Sequence, residues 1–329
     1  MHQLYPLKFT PIYKDKIWGG NKIHDLLGLN YAPLPNCGEV WLLSSVAGEA
    51  SIVSNGFLEG NEINELIEVY MGDLIGDQVY EKSGEGFPLL FKIIDANAAL
   101  SVQVHPNDAL AQRRHQCNGK TEMWYVMQAD QGAKLISGFN RKMDRTSYLK
   151  HLNENSLKDV LNFENAQKGD VFYMPAGRVH AIGSGILLAE IQQTSDITYR
   201  IYDWDRKDAN GMARDLHTEL ALDALDFTHH AKYRTDYRLP NEGSASIVKE
   251  PHFVVNVMHF HHPVEKDYTE LDSFVVYLCT EGSFTLKTGP NHTKVTKGEC
   301  VLVPALINIV EIHPEKHVEI LEVYIEHFA

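Results

Sequence analysis

The sequence predicts a mainly β chain, two jelly-roll barrels with short helical insertions, on three observations. Short β-prone runs bounded by turns recur along most of the chain. From Ile247 onward the chain is almost all strand and turn. Third, a faint internal repeat pairs WYVMQADQGAKL from Trp124 with VVYLCTEGSFTL from Val275, and KGDVFYMPAG from Lys168 with KGECVLVPAL from Lys297. Both copies have a glycine, five residues and a proline, Gly169 to Pro175 and Gly298 to Pro304. Only the first continues into a glycine and a histidine, His180; the second runs LINIV. The division expected is therefore residues 1–240, a metal-binding domain, and 241–329, a degenerate copy without ligands.

In chain order, FTPIY, IWGG, GEVWLLSS and ASIVSNG read as edge and outer strands. Ile63, Leu66, Ile67 and Tyr70 recur at helical spacing, which places a helix near 61–76. Two strands follow Pro88, and Pro106, Asn107 and Asp108 close the second and cap a helix through ALAQRRH. TEMWYVMQA and AKLISGF are strands, RTSYLKHL and SLKDVLNF form a helical pair near 145–162, and KGDVFYMPAG returns to β-structure. ILLAEIQQTSDITYRIYDW is β-rich with a break at Thr194 to Asp196. LHTELALDALDF is a helix near 214–227, and a polar linker runs from His229 to about Ser246.

The chain has 329 residues, 44% apolar and 22% charged, ordinary for a globular protein of about two domains. Thirty Lys and Arg against 44 Asp and Glu leave a net charge of −14. A surface that acidic argues against sequence-independent binding of nucleic acid or anionic membrane, which needs basic patches. Cys37, Cys117, Cys279 and Cys300 show no CxxC spacing and read as free thiols. With no signal-like or membrane-length apolar run, the expected location is the cytoplasm. Nothing in the sequence sets the oligomeric state.

The chemistry concentrates in SVQVHPND, GKTEMWYV and GDVFYMPAGRVH. Gln103 and His105 are two apart on a strand and share a face, Glu122 opens the next strand, and His180 follows a Pro-Gly turn. One amide, one carboxylate and two imidazoles suit zinc, and iron, manganese or cobalt could bind the same set. With Glu122 the only anion, a divalent ion would keep a formal charge of about +1 and act as a Lewis acid. Beyond His180, Glu190 and Gln192 share a strand face, as Thr198, Arg200 and Tyr202 do past the turn; such a face lines a polar lumen or is merely solvated. Lys92, Lys120, Arg200 and Arg206 recur beside the metal motifs of an acidic protein and point to an anionic substrate such as a sugar phosphate.

These residues make the chain resemble the type I mannose-6-phosphate isomerases, in their short bacterial form within the cupin superfamily. The match runs from KDKIWGG (Lys14) and GEVWLLSS (Gly38) through LSVQVHPND, GKTEMWYV and MPAGRVHAIG to TSDITYRIYDWDR (Thr194). The resemblance implies cupin barrels, one zinc ion held by Gln103, His105, Glu122 and His180, and Arg200 as the active-site arginine. It places Ser101, Lys92 and Arg206 near the substrate phosphate and makes Glu190 and Lys120 candidates for proton transfer. It implies reversible conversion of mannose 6-phosphate to fructose 6-phosphate through an enediolate. Larger members carry a tyrosine two positions after the second histidine where this chain has Ile182, and their helical insertion is much reduced here. Two rivals start from the same residues: a cupin dioxygenase with ferrous iron on His105, Glu122 and His180, and a non-catalytic sugar-binding bicupin.

Overall fold

Strands buried on both faces read as continuous apolar runs, and two such strands form the middle of the molecule. Leu89–Ala96 and Ile186–Gln193 are buried along their whole length. In the computed structural model, which describes residues 4–207 and 211–326, they are adjacent in a six-stranded sheet. Its order is Ile12–Lys14, Glu39–Leu43, Leu89–Ala96, Ile186–Gln193, Glu122–Ala129 and Val171–Met174, antiparallel throughout.

A second sheet of five strands runs Tyr199–Tyr202, Val102–Val104, His180–Ala181, Lys134–Phe139 and Leu161–Asn165. Val102–Val104 and Tyr199–Tyr202 alternate between buried and half-buried positions. Val102, Val104, Tyr199 and Ile201 join Leu110, Tyr148 and Ala221 from helices Asp108–His115, Arg145–Asn153 and Thr218–Ala224 in one apolar cluster. Gln103 and Arg200 thereby take the opposite face. A separate core containing Trp18, Ile94, Leu100, Trp124, Leu135, Phe172, Ile182 and Leu188 joins residues of the two sheets.

The first sheet's other face meets the C-terminal part of the chain. One cluster unites Phe91, Met123, Tyr125, Leu187 and Ile191 of that sheet with Ile63, Leu66, Ile67, Leu74 and Ile75, and with Phe253, Val255, Val276, Leu278, Leu321 and Val323. The C-terminal sheet has seven strands, and its two longest, Val275–Thr288 and Ile309–Tyr324, shift register where they bend. They surround a further core that includes Tyr277, Phe284, Val310 and Ile320. The fold is thus mainly β, and among the described residues each sheet is open at its ends rather than closed into a barrel.

The repeat has a structural counterpart. Gly169 and Gly298 adopt the same left-handed turn, φ 86° and 85°. The strands that follow them, Val171–Met174 and Cys300–Val303, pair with the equivalent strands Glu122–Ala129 and Val275–Thr288. Counting from the shared proline, Ile309 stands where His180 stands in the first copy.

Asn107 caps its helix as expected, its Oδ1 accepting the Leu110 N–H at 3.0 Å. Elsewhere elements differ from expectation. The helix near 61–76 is broken at Met71 (φ 45°) into Ile63–Tyr70 and Gly72–Ile75, and Asp77–Ser83 adds another. The second helix expected near 145–162 is a short 3-10 turn, Leu157–Val160, that passes into the strand Leu161–Asn165. That strand is claimed by pairing with Lys134–Phe139, and tertiary pairing overrides weak local propensity. IWGG forms no strand, and Lys22–Leu27 is a helix within a stretch read as strands.

Candidate active site

Cross-strand register assembles the site as two rows. In the first sheet Trp41, Lys92, Glu190, Trp124 and Phe172 are successive neighbours across five strands. In the second, Arg200, Gln103, His180 and Ser137 are neighbours across four. Two residues along from Glu190 and Trp124, on the same face, lie Gln192 and Glu122, again paired.

His105, Glu122 and His180 converge, with one ligand atom from each lying within 4.8 Å of the others. His105 Nε2 is 3.1 Å from His180 Nε2, and Glu122 lies 3.5 Å from the first and 3.3 Å from the second. Backbone carbonyls fix both tautomers. His105 Nδ1 contacts Ile197 O at 2.9 Å and His180 Nδ1 contacts Arg178 O at 2.8 Å, so each Nδ1–H donates and each Nε2 presents a lone pair. Burial above all holds both rings neutral, lowering His105 well below the usual imidazole range and His180 to about 4. Two lone pairs and a buried carboxylate facing one another call for a cation. Glu122 Oε1 has no hydrogen-bond partner among the described residues, nor has the buried Gln192 Oε1. The donor set fits a borderline divalent ion, with the Gln103 amide in the row beside His180. Gly177 ties the two ligand segments, its N–H donating to His105 O at 2.9 Å while φ of 92° turns the chain toward His180.

Beside this centre is a polar cavity of about 320 Å³ whose lining includes Lys92, Ser101, Gln103, Lys120, Glu190 and Arg200. Glu190 is buried, receives the Trp124 Nε1–H at 2.9 Å, and lies 3.3 Å from Lys92 Nζ and 3.9 Å from Lys120 Nζ. Lys120 pairs with Glu122 and is 3.4 Å from His105 Nε2. Burial opposes the charge of Lys92, but Glu190 and Glu39 outweigh it, so its pKa is raised and it remains an ammonium. Burial likewise disfavours ionised Glu39, yet Lys92 and Lys16 overcome this and lower its pKa. The Glu190 and Gln192 face is therefore buried against the site, not solvated.

Of the residues singled out in the sequence, Ser101, Gln103, Lys92, Lys120, Glu190 and Arg200 line this cavity, and His105, Glu122 and His180 form the cluster beside it. Arg206 is not among the lining residues; its Nη2 pairs with Asp203 at 2.5 Å. Ile182 is buried in the core between the sheets. Sequence reasoning missed Lys16, Glu39, Asp196 and Arg214, which also line the cavity. Glu39 was detectable: it lies in the GEVWLLSS strand, and its spacing from Trp41 puts both on one face.

Residues 6–132 match the family described as phosphomannose isomerase type I, catalytic domain. The mannose-6-phosphate isomerase of Streptococcus mutans serotype c is 36% identical over 304 residues, 92% of this chain and 93% of that protein. ManA, a mannose-6-phosphate isomerase of Bacillus subtilis, is 40% identical over 228 residues, 67% of this chain and 68% of its own. The crystal structure of the mannose 6-phosphate isomerase from Bacillus subtilis superposes with a TM-score of 0.86 at 30% identity, covering 98% of this chain and 99% of that one. Near full-length identity of this order, on the same fold and with the His-Glu-His cluster in place, shows that the chain belongs to the type I phosphomannose isomerases.

Proposed function

We infer that the protein is a metal-dependent aldose–ketose isomerase that interconverts mannose 6-phosphate and fructose 6-phosphate in the cytoplasm. The observation that carries this reading is a buried His-Glu-His donor set beside a cavity with basic walls in an acidic protein. The family relationship supplies the sugar.

In this proposal His105, Glu122 and His180, with Gln103, would hold zinc, which would keep about one positive charge and supply Lewis acidity toward the sugar's oxygens. The protein's own groups move the proton. After ring opening, a base takes the C2 proton of the aldose, an enediolate forms, and the proton returns at C1. Glu190, oriented by the Trp124 indole N–H and by Lys92, and Lys120, lying between Glu122 and Glu190, are the candidates. Arg200 stabilises the enediolate electrostatically, Ser101 and Lys92 serve the phosphate side, and Arg206, outside the cavity lining, adds positive charge behind it through its pair with Asp203. Residues 1–240 carry the chemistry, while 241–329 buttress the back of the catalytic sheet.

A dioxygenase acting through the same three ligands would leave the basic lining without a role. The deciding experiment is a coupled isomerase assay on chelated protein reloaded with zinc, manganese, cobalt or iron. Activity on mannose 6-phosphate should vanish on chelation and return with zinc. A fully metallated, folded protein that does not turn over this sugar refutes the assignment.

A further inference from the structure

Arg214 lines the cavity beside Arg200, although no sequence motif singled it out. Three hydrogen bonds bring its segment there. The Arg200 N–H donates to His217 Nδ1 at 3.1 Å, the His217 N–H donates to Arg200 O at 2.7 Å, and Arg200 Nη1 donates to Asp215 O at 2.9 Å. Residues 215–217 are thereby fastened to the strand Tyr199–Tyr202, and Arg214 is delivered to the rim.

Asp203 then sets the guanidinium's direction. Arg214 Nε donates to Asp203 Oδ2 at 2.8 Å and Nη2 to Oδ1 at 2.6 Å, a two-point fork that does not use Nη1. The same carboxylate also takes Arg206 at 2.5 Å, so one anion serves two cations. Arg200 has no ion-pair partner among the described residues, and its buried Nε has no hydrogen-bond partner there either. Elsewhere in the cavity the cations are matched: Lys92 by Glu190 and Glu39, Lys120 by Glu122, and Lys16 by Glu39. Asp196 is the remaining anion of the lining, and the arginine corner, with Arg200, Arg206 and Arg214 against Asp203, still keeps an excess of positive charge. Burial lowers the Arg200 pKa, with neighbouring Arg214 as the next cause, as for two like charges sharing a space.

We propose that Arg214 binds the phosphate group of the substrate, and that Asp203 is a positioning residue that holds Arg214 in the phosphate-accepting orientation. The proposal rests on the isomerase reading for the identity of the sugar, but not for the anion site itself. A planar guanidinium held along one edge presents fixed donors to a tetrahedral oxyanion, which a freely rotating side chain would have to be immobilised to do.

The test uses the zinc-loaded full chain and two readouts: steady-state kinetics with mannose 6-phosphate and calorimetric binding of inorganic phosphate. Arg214→Ala should raise KM and the phosphate Kd by about 10- to 100-fold, the loss expected for one charge-assisted contact, with kcat within about threefold of the parent. Arg214→Lys should recover part of the loss, and Asp203→Asn should weaken phosphate binding less than Arg214→Ala does. If Arg214→Ala does not fold, Arg214→Gln carries the same test. A folded variant with unchanged KM and unchanged phosphate Kd overturns the proposal. Arg214-dependent phosphate binding without turnover of the sugar supports the anion site and counts against the isomerase reading instead.

Discussion

His105 Nε2 and His180 Nε2 stand 3.1 Å apart, each with its other ring nitrogen committed to a backbone carbonyl. Neither can donate toward the other, so the pair is prepared for a cation. His180→Ala should leave the fold intact and reduce zinc content after dialysis to well under one ion per chain, with activity falling roughly a thousandfold or more. Elemental analysis beside the isomerase assay checks this. Full zinc occupancy in the variant would remove His180 from the ligand set.

The same two imidazoles make the chelated protein sensitive to acid. A histidine whose folded pKa is depressed binds its proton more readily when unfolded, so stability rises with pH between the folded and unfolded values. For His180 that window runs from about 4 up to the ordinary value of 6.5, and its contribution across it is about 3 kcal/mol. Chelated protein should therefore lose stability steadily as pH falls below 6.5. Denaturant titrations at several pH values should show a shallower slope for His180→Ala, and an unchanged slope would refute the assignment.

Glu190 and Lys120 compete for the proton-transfer role, and their variants should separate them. Glu190→Gln keeps an oxygen for the Trp124 indole but removes the charge beside Lys92. If Glu190 is the base, kcat falls by about 10²- to 10⁴-fold with zinc retained, and Lys120→Met costs less. The reverse order in single-turnover rates would move the role to Lys120.

The chain ending at Pro240 should not yield a soluble enzyme. Removing the rest uncovers the back of the first sheet, where Phe91, Met123, Tyr125, Leu187 and Ile191 pack against Val255, Val276, Leu321 and Val323. Each such large apolar side chain is worth about 1.5–3 kcal/mol when buried, and an exposed apolar sheet face of this extent promotes aggregation. Soluble yield and size-exclusion profile measure it. A monomeric, active 1–240 fragment would show that the C-terminal unit is dispensable.

Much of the site was legible because it is written in side-chain periodicity. Two-residue alternation put Gln103 and His105 on one face, and the Pro-Gly turn marked His180, which the structure brings to His105 and Glu122. Local patterns also foretold the mainly β architecture. They failed where one segment's conformation depends on a distant partner. SLKDVLNF has helical spacing, but pairing with Lys134–Phe139 makes its second half a strand.

Which residues would meet was decided by tertiary structure. Periodicity says that Glu190, Arg200 and Lys92 share a face with their strand neighbours; only register puts Lys92 opposite Glu190 and Arg200 opposite Gln103. Arg214 lies in no motif, and it reaches the cavity because Arg200 hydrogen-bonds the neighbouring Asp215 and His217 and the Asp203 carboxylate holds the guanidinium. Backbone and side-chain preferences are local and can be read along the chain. Burial and charge depend on what the rest of the chain brings alongside, so the neutral imidazoles and the unbalanced arginine corner exist only once the sheets have closed over them.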